Sequence, residues 1–132
     1  MSTYRFLLSK ANQNQILMKM CNGKKLPKEL YYSVIINNPY DLAYIKKPTK
    51  NMIFCALKLN PFSLLSVEYQ KRTYEMCLFA VQLNGLTLQY VNYEYKTDEI
   101  CAMAVKQNPI AIQYVEKCRV NKILEMAKSI KQ

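Results

Sequence analysis

Between Thr97 and Gln107 the chain reads "TDEICAMAVKQ", with apolar side chains Ile100, Cys101, Ala104 and Val105 at i, i+1, i+4 and i+5. That spacing makes one stripe of an α-helix about ten residues long. Thr97 stands where an N-cap hydroxyl accepts from a first-turn amide. Asp98 and Glu99 put carboxylates at the positive end of the helix dipole. Asn108 then breaks the stripe. Pro109 cannot continue the helix, but it fits the first position of a new one capped by Asn108. "PIAIQYVEK" predicts that second helix, about two turns long, with Ile110, Ile112 and Val115 as its apolar set. A helix so short is unstable alone. The unit predicted is a helical hairpin that hides its apolar side by stacking on neighbours.

The pattern recurs along the chain. Its anchors are Asn14, Asn38, Asn60, Asn84 and Asn108, at spacings of 24, 22, 24 and 24 residues. Eleven positions upstream stand Thr3, Pro27, Thr49, Thr73 and Thr97; eight upstream stand Phe6, Leu30, Met52, Met76 and Ile100. Four upstream are Val34, Ala56, Ala80 and Ala104, with Lys10 in the first copy; three upstream are Ala11, Ile35, Leu57, Val81 and Val105. Chance does not hold so many columns in step, so this is an internal repeat. The alternation in "GLTLQYVNYEY" (85–95) also fits a strand, but the helical stretch before it and the prolines in the same column of other copies favour a helix. The expected fold is all-α: a short α-solenoid of stacked two-helix repeats of about 24 residues, in a single domain spanning 1–132. The repeats fall near 3–26, 27–48, 49–72, 73–96 and 97–119. Residues 120–132 predict a C-terminal capping helix with Ile123, Leu124 and Ala127 in the core columns and lysines outside. The first copy is degenerate, with Gln15 in place of proline, and "NGKKLPK" (22–28) is the one loop-like insertion.

These columns resemble a family of uncharacterised tandem helical repeats, a domain of unknown function common in amoeba-infecting giant viruses and some amoeba-associated bacteria. The family's phrase is an Ala-Val-Lys-Gln-Asn-Gly/Pro core followed by Leu and a Tyr/Val pair. Here it stands as "AVQLNGLTLQYV" and "AVKQNPIAIQYV", more loosely as "ALKLNPFSLLSV" and remotely as "VIINNPYDLAYI", covering roughly 26–118. The resemblance implies a helical solenoid with a role at a virus–host or effector–host interface. It implies no activity.

Composition narrows the chemistry. The chain has no histidine, which removes the commonest general base, Ser-His and Cys-His nucleophile pairs and the usual zinc ligands. No metal or cofactor is expected, and the protein reads as non-enzymatic. Asp98-Glu99 is a first-turn pair without a matching second carboxylate pair for metal or glycosidase chemistry. The five cysteines are odd in number and lack a Cys-x-x-Cys spacing. Cys77 and Cys101 share a column and read as buried thiols in a reducing compartment. No stretch is long and apolar enough for a bilayer, and the start lacks a secretory pattern. An intracellular setting is expected, whether virion, host cytoplasm or nucleus.

Charge carries the main functional hint. Nineteen Lys and Arg oppose nine Asp and Glu, a net +10. The basic residues gather in the connections between repeats: Lys24 and Lys25; Lys46, Lys47 and Lys50; Lys71 and Arg72; Lys96; Lys117, Arg119 and Lys122. Stacked loops would align them as a basic edge, with Tyr44, Tyr69, Tyr93 and Tyr95 beside it. Such an edge suits an acidic protein surface. The alternative partner is nucleic acid, bound without sequence preference through phosphates and stacked bases. Lysine outnumbers arginine sixteen to three, and arginine is the better bidentate reader of phosphate and guanine. Tyr44, Tyr90 and Tyr114 share a column and are expected to be partly buried, with the hydroxyl reaching water. "TYRFLL" at the start, with Tyr4, Phe6, Leu7 and Leu8, lacks a charged cap and suggests a homodimer face.

Overall fold

The computed structural model describes residues 26–130, and these fall into two compact units that divide between Val67 and Glu68. The first repeat, Lys24, Lys25, and the face at Tyr4, Phe6, Leu7 and Leu8 lie outside the described residues. Among the described residues every regular element is helical, and no strand occurs.

The N-terminal unit contains α1 (Lys28–Asn37), a 3-10 helix at Pro39–Tyr44, α2 (Lys50–Leu59) and a 3-10 helix at Pro61–Ser66. The C-terminal unit contains α3 (Tyr74–Leu83), α4 (Asp98–Gln107) and α5 (Val120–Ser129). Two six-residue 3-10 helices, Gly85–Tyr90 and Pro109–Tyr114, follow α3 and α4. Three short 3-10 turns, Tyr69–Lys71, Tyr93–Tyr95 and Lys117–Arg119, lead into the three α-helices of this unit.

The four described asparagine anchors work in both directions. The Asn84 N–H donates to the Ala80 carbonyl and closes α3. Its side chain accepts from the Leu86 N–H, while its carbonyl accepts from Thr87 N–H, and both bonds open the next helix. Asn38, Asn60 and Asn108 do the same with Tyr40, Phe62 and Ile110. A side chain bonded two residues ahead together with an i-to-i+3 backbone bond starts the tighter helix. Thr49, Thr73 and Thr97 cap α2, α3 and α4 by accepting from Met52, Met76 and Ile100 amides, as the sequence predicts. Pro27 precedes α1 without a side-chain cap.

The core follows the repeat columns. Val34 with Ile35, Ala56 with Leu57, Ala80 with Val81 and Ala104 with Val105 are all buried, as are Leu30, Met52, Met76 and Ile100. Within the N-terminal unit α1 packs on α2, and the two 3-10 helices pack on each other. Within the C-terminal unit α4 lies against both α3 and α5, and its two six-residue 3-10 helices also meet.

Two apolar assignments change. The second helix of each pair is 3-10 rather than α, so its buried stripe runs at i, i+3: Leu42 with Ile45, Leu64 with Val67, Leu88 with Val91. In the last copy Val115 is buried and Ile112 half-buried, whereas Ile110 is 62% exposed and Ala111 is buried in its stead. In α5, Ile123 and Ala127 face the core, but Leu124 is 39% exposed. One residue on from Ile123 is about 100° around the helix, away from α4.

Candidate functional site

The connections between helix pairs hold the basic residues, and the two units build them differently. In the C-terminal unit each connection contains a short 3-10 turn, and its polar side chains bond to the next turn. The Tyr69 hydroxyl donates to Glu94 Oε2 and accepts from the Tyr93 N–H, both at 3.2 Å. Asn92 Nδ2 donates to the Tyr69 carbonyl at 2.7 Å. The Tyr93 hydroxyl bonds to Glu116, and this contact holds its proton more tightly than usual. Glu94 is held below the ordinary carboxylate range, first by its own backbone N–H.

The cations of this unit are largely occupied. Lys71 Nζ lies 3.5 Å from Glu68. Arg72 Nη1 donates to the Tyr90 carbonyl at 2.7 Å while its guanidinium covers the Tyr69 ring at 5.6 Å. Asp98 accepts from Arg119 Nε and Nη2 at 3.0 and 2.5 Å on one oxygen, and from Lys122 Nζ at 2.6 Å on the other. The Lys122 contact, then Arg119, draws the Asp98 carboxyl below its usual range, and the same pairing raises Arg119. Lys96 is half-buried and Lys117 exposed.

In the N-terminal unit the equivalent connection has no 3-10 turn. It is the bend Lys46–Lys47 followed by Pro48 and the cap Thr49, which accounts for the 22-residue spacing. Both lysines are exposed, and among the described residues neither makes an ion pair. Lys50 opens α2 with its ammonium 5.8 Å from the Phe54 ring centre, and Lys28 sits similarly 5.9 Å from Tyr32. Residues 1–67 hold ten basic and two acidic side chains, a net +8; residues 68–132 hold nine and seven, a net +2. The net charge is concentrated in the N-terminal half of the sequence.

The tyrosine column splits. Tyr90 and Tyr114 are half-buried as expected, while Tyr44 is 41% exposed. Cys77 and Cys101 are fully buried, and burial pushes both thiols up. Cys118 is exposed. Asn92, which composition did not single out, is the buried polar link between two successive turns. Its signal in the sequence is slight: it stands where Glu68 and Glu116 stand in the flanking copies.

Among the described residues no three His, Cys, Asp or Glu side chains gather as metal ligands, and no helix is long and apolar enough to cross a membrane. Residues 73–117 match the profile of a family described as "Domain of unknown function (DUF4116)". This stretch runs from the cap of α3 to the last short turn and carries the two strongest copies of the repeated phrase. No curated protein and no solved structure is significantly similar to the chain. The description of the matching family names no activity.

Proposed function

We propose that the protein is a non-enzymatic interaction module, a short α-solenoid that presents a basic edge to a macromolecular partner, foremost an acidic protein surface. A role as a viral or host-interaction factor belongs to the same reading. The Lys46–Lys47 bend supports it most: two exposed lysines without ion partners among the described residues, in a half-chain of net +8. Charges so placed steer an oppositely charged partner and lose their effect as salt screens them.

A non-specific nucleic-acid-binding or packaging factor would use the same edge, and exposed Tyr93 beside it favours that second reading. Tyr69 favours it less, because Arg72 covers its ring. The test is a titration of labelled mixed-sequence DNA and RNA and of a Glu-rich peptide across salt, each competed with unlabelled polyanions. A peptide complex that resists DNA and RNA competition, and weakens in Lys46→Ala/Lys47→Ala, is the expected result. Equal displacement by any polyanion would select the nucleic-acid reading. Absence of binding to all three near physiological salt would overturn both.

A further inference from the structure

The C-terminal unit satisfies four of its connection cations internally, Lys71, Arg72, Arg119 and Lys122, through Glu68, the Tyr90 carbonyl and Asp98. Two of its three α-helices also begin with acids, Glu75 in α3 and Asp98 and Glu99 in α4, whereas α5 has none in its first turn. The first turn of α2 contains none, so no carboxylate in that turn offsets Lys46 and Lys47. The two units therefore offer a partner different surfaces.

Beside the Lys46–Lys47 bend stand the stacked 3-10 helices of the N-terminal unit. Ser66 Oγ donates to the Tyr40 carbonyl at 2.7 Å and ties the two together. The two helices expose Tyr40 (42%), Tyr44 (41%) and Leu65 (47%), with Leu65 preceding the Ser66 that bonds Tyr40. Tyr44 ends the first of these helices, one residue before Ile45 and the lysines. Unpaired lysines next to exposed aromatic and aliphatic side chains match a chain that alternates carboxylates with bulky apolar residues. A phosphate backbone would engage the lysines but leave Leu65 without a counterpart.

We infer that the partner-binding surface is confined to the N-terminal unit, at Lys46 and Lys47 with Tyr40, Tyr44 and Leu65. It takes an extended acidic protein segment with interspersed Leu or Phe. This rests on the interaction-module reading and narrows it to one surface and one class of partner.

The experiment measures binding of a labelled fifteen-residue peptide of repeating Glu-Glu-Leu-Glu-Phe to the full chain by fluorescence anisotropy. Three proteins are compared: the parent, Lys46→Glu/Lys47→Glu and Lys71→Glu/Lys117→Glu. Both variants lower the net charge equally and alter exposed connection residues, so a difference between them reports the local contact. The first should bind at least about tenfold more weakly than the parent and the second within about twofold. A peptide with Ser in place of Leu and Phe should bind about tenfold more weakly to the parent. Circular dichroism checks the fold. If either reversal unfolds the chain, the corresponding Gln pairs replace it with the same order expected.

Equal losses in the two variants, or the larger loss at Lys71 and Lys117, would overturn the placement while leaving the basic module standing. An unchanged affinity for the Ser peptide would overturn the apolar contact. Tighter binding of single-stranded RNA than of the peptide would overturn the class of partner. A parent that binds neither would sink the underlying reading itself.

Discussion

Gly85 stands where three other copies carry proline, and its reason is a close approach rather than a turn. A Cβ there would overlap the Ala104 carbonyl oxygen of α4. Its N–H, which a proline would lack, donates to Gln107 Oε1 at 2.6 Å, and Gln107 Nε2 lies 3.4 Å from the Leu83 carbonyl. Gly85→Ala should lower unfolding free energy by about 1–3 kcal/mol in urea titration, since the backbone of α4 cannot give way as a side-chain tip would. Gln107→Ala should cost less, about 0.5–1.5 kcal/mol for the loss of a part-buried bond. At Asp98 the prediction concerns pH. Its carboxyl is drawn below its usual range by Lys122 and then Arg119. Its contribution is therefore fully present above the unfolded value near 3.9 and fades as pH falls through the lower folded value. Thermal melts of the parent and Asp98→Asn should differ at neutral pH and converge in acid. A difference that persists unchanged in strong acid would mean the ion triad is not its source.

The helices α2, α3 and α4 depend on the threonine that opens each of them, and α1 to α4 on the asparagine that closes each of them. Thr97→Ala removes the acceptor for the Ile100 N–H and should cost about 1 kcal/mol. The 3-10 phase of the second helices makes a contrast that an α-helical phase would not. Ile110→Ser, at an exposed position, should change stability by less than about 0.5 kcal/mol. Val115→Ala, at a buried one, should cost about 1–3 kcal/mol. Reversal of that order in chemical denaturation would restore the α phase that the spacing of Ile110, Ile112 and Val115 suggested. Periodicity missed the change because six residues hold too few apolar positions to separate a period of 3.0 from one of 3.6.

At the scale of the molecule the chain divides at Val67, and the division falls close to a change in charge and in connection type. Thiol reactivity offers a readout of the C-terminal unit. In a Cys21→Ser/Cys55→Ser background, Cys118 should react promptly with a thiol reagent under native conditions. Cys77 and Cys101, buried and with raised thiol values, should react only as the chain unfolds. Prompt labelling of Cys77 or Cys101 in native buffer would contradict their place in the core.

The succession of elements was largely legible in the sequence. Threonine caps, asparagine-to-proline transitions and the Ala/Val columns are local devices, each acting within one helical turn, so residue identity alone reveals them. The concentration of basic residues toward the N-terminal half is likewise a property of the string. Tertiary structure decided what depends on neighbours distant in the chain. Arg72 bonds a carbonyl 18 residues on, and Arg119 a carboxylate 21 residues back. Two residues of the expected basic edge are thereby committed to the fold. Lys46 and Lys47, in a connection without a 3-10 turn, meet no such partner among the described residues. Repetition specifies that equivalent residues recur; whether a given cation is consumed or left exposed depends on which carboxylate or carbonyl the fold brings within hydrogen-bond reach.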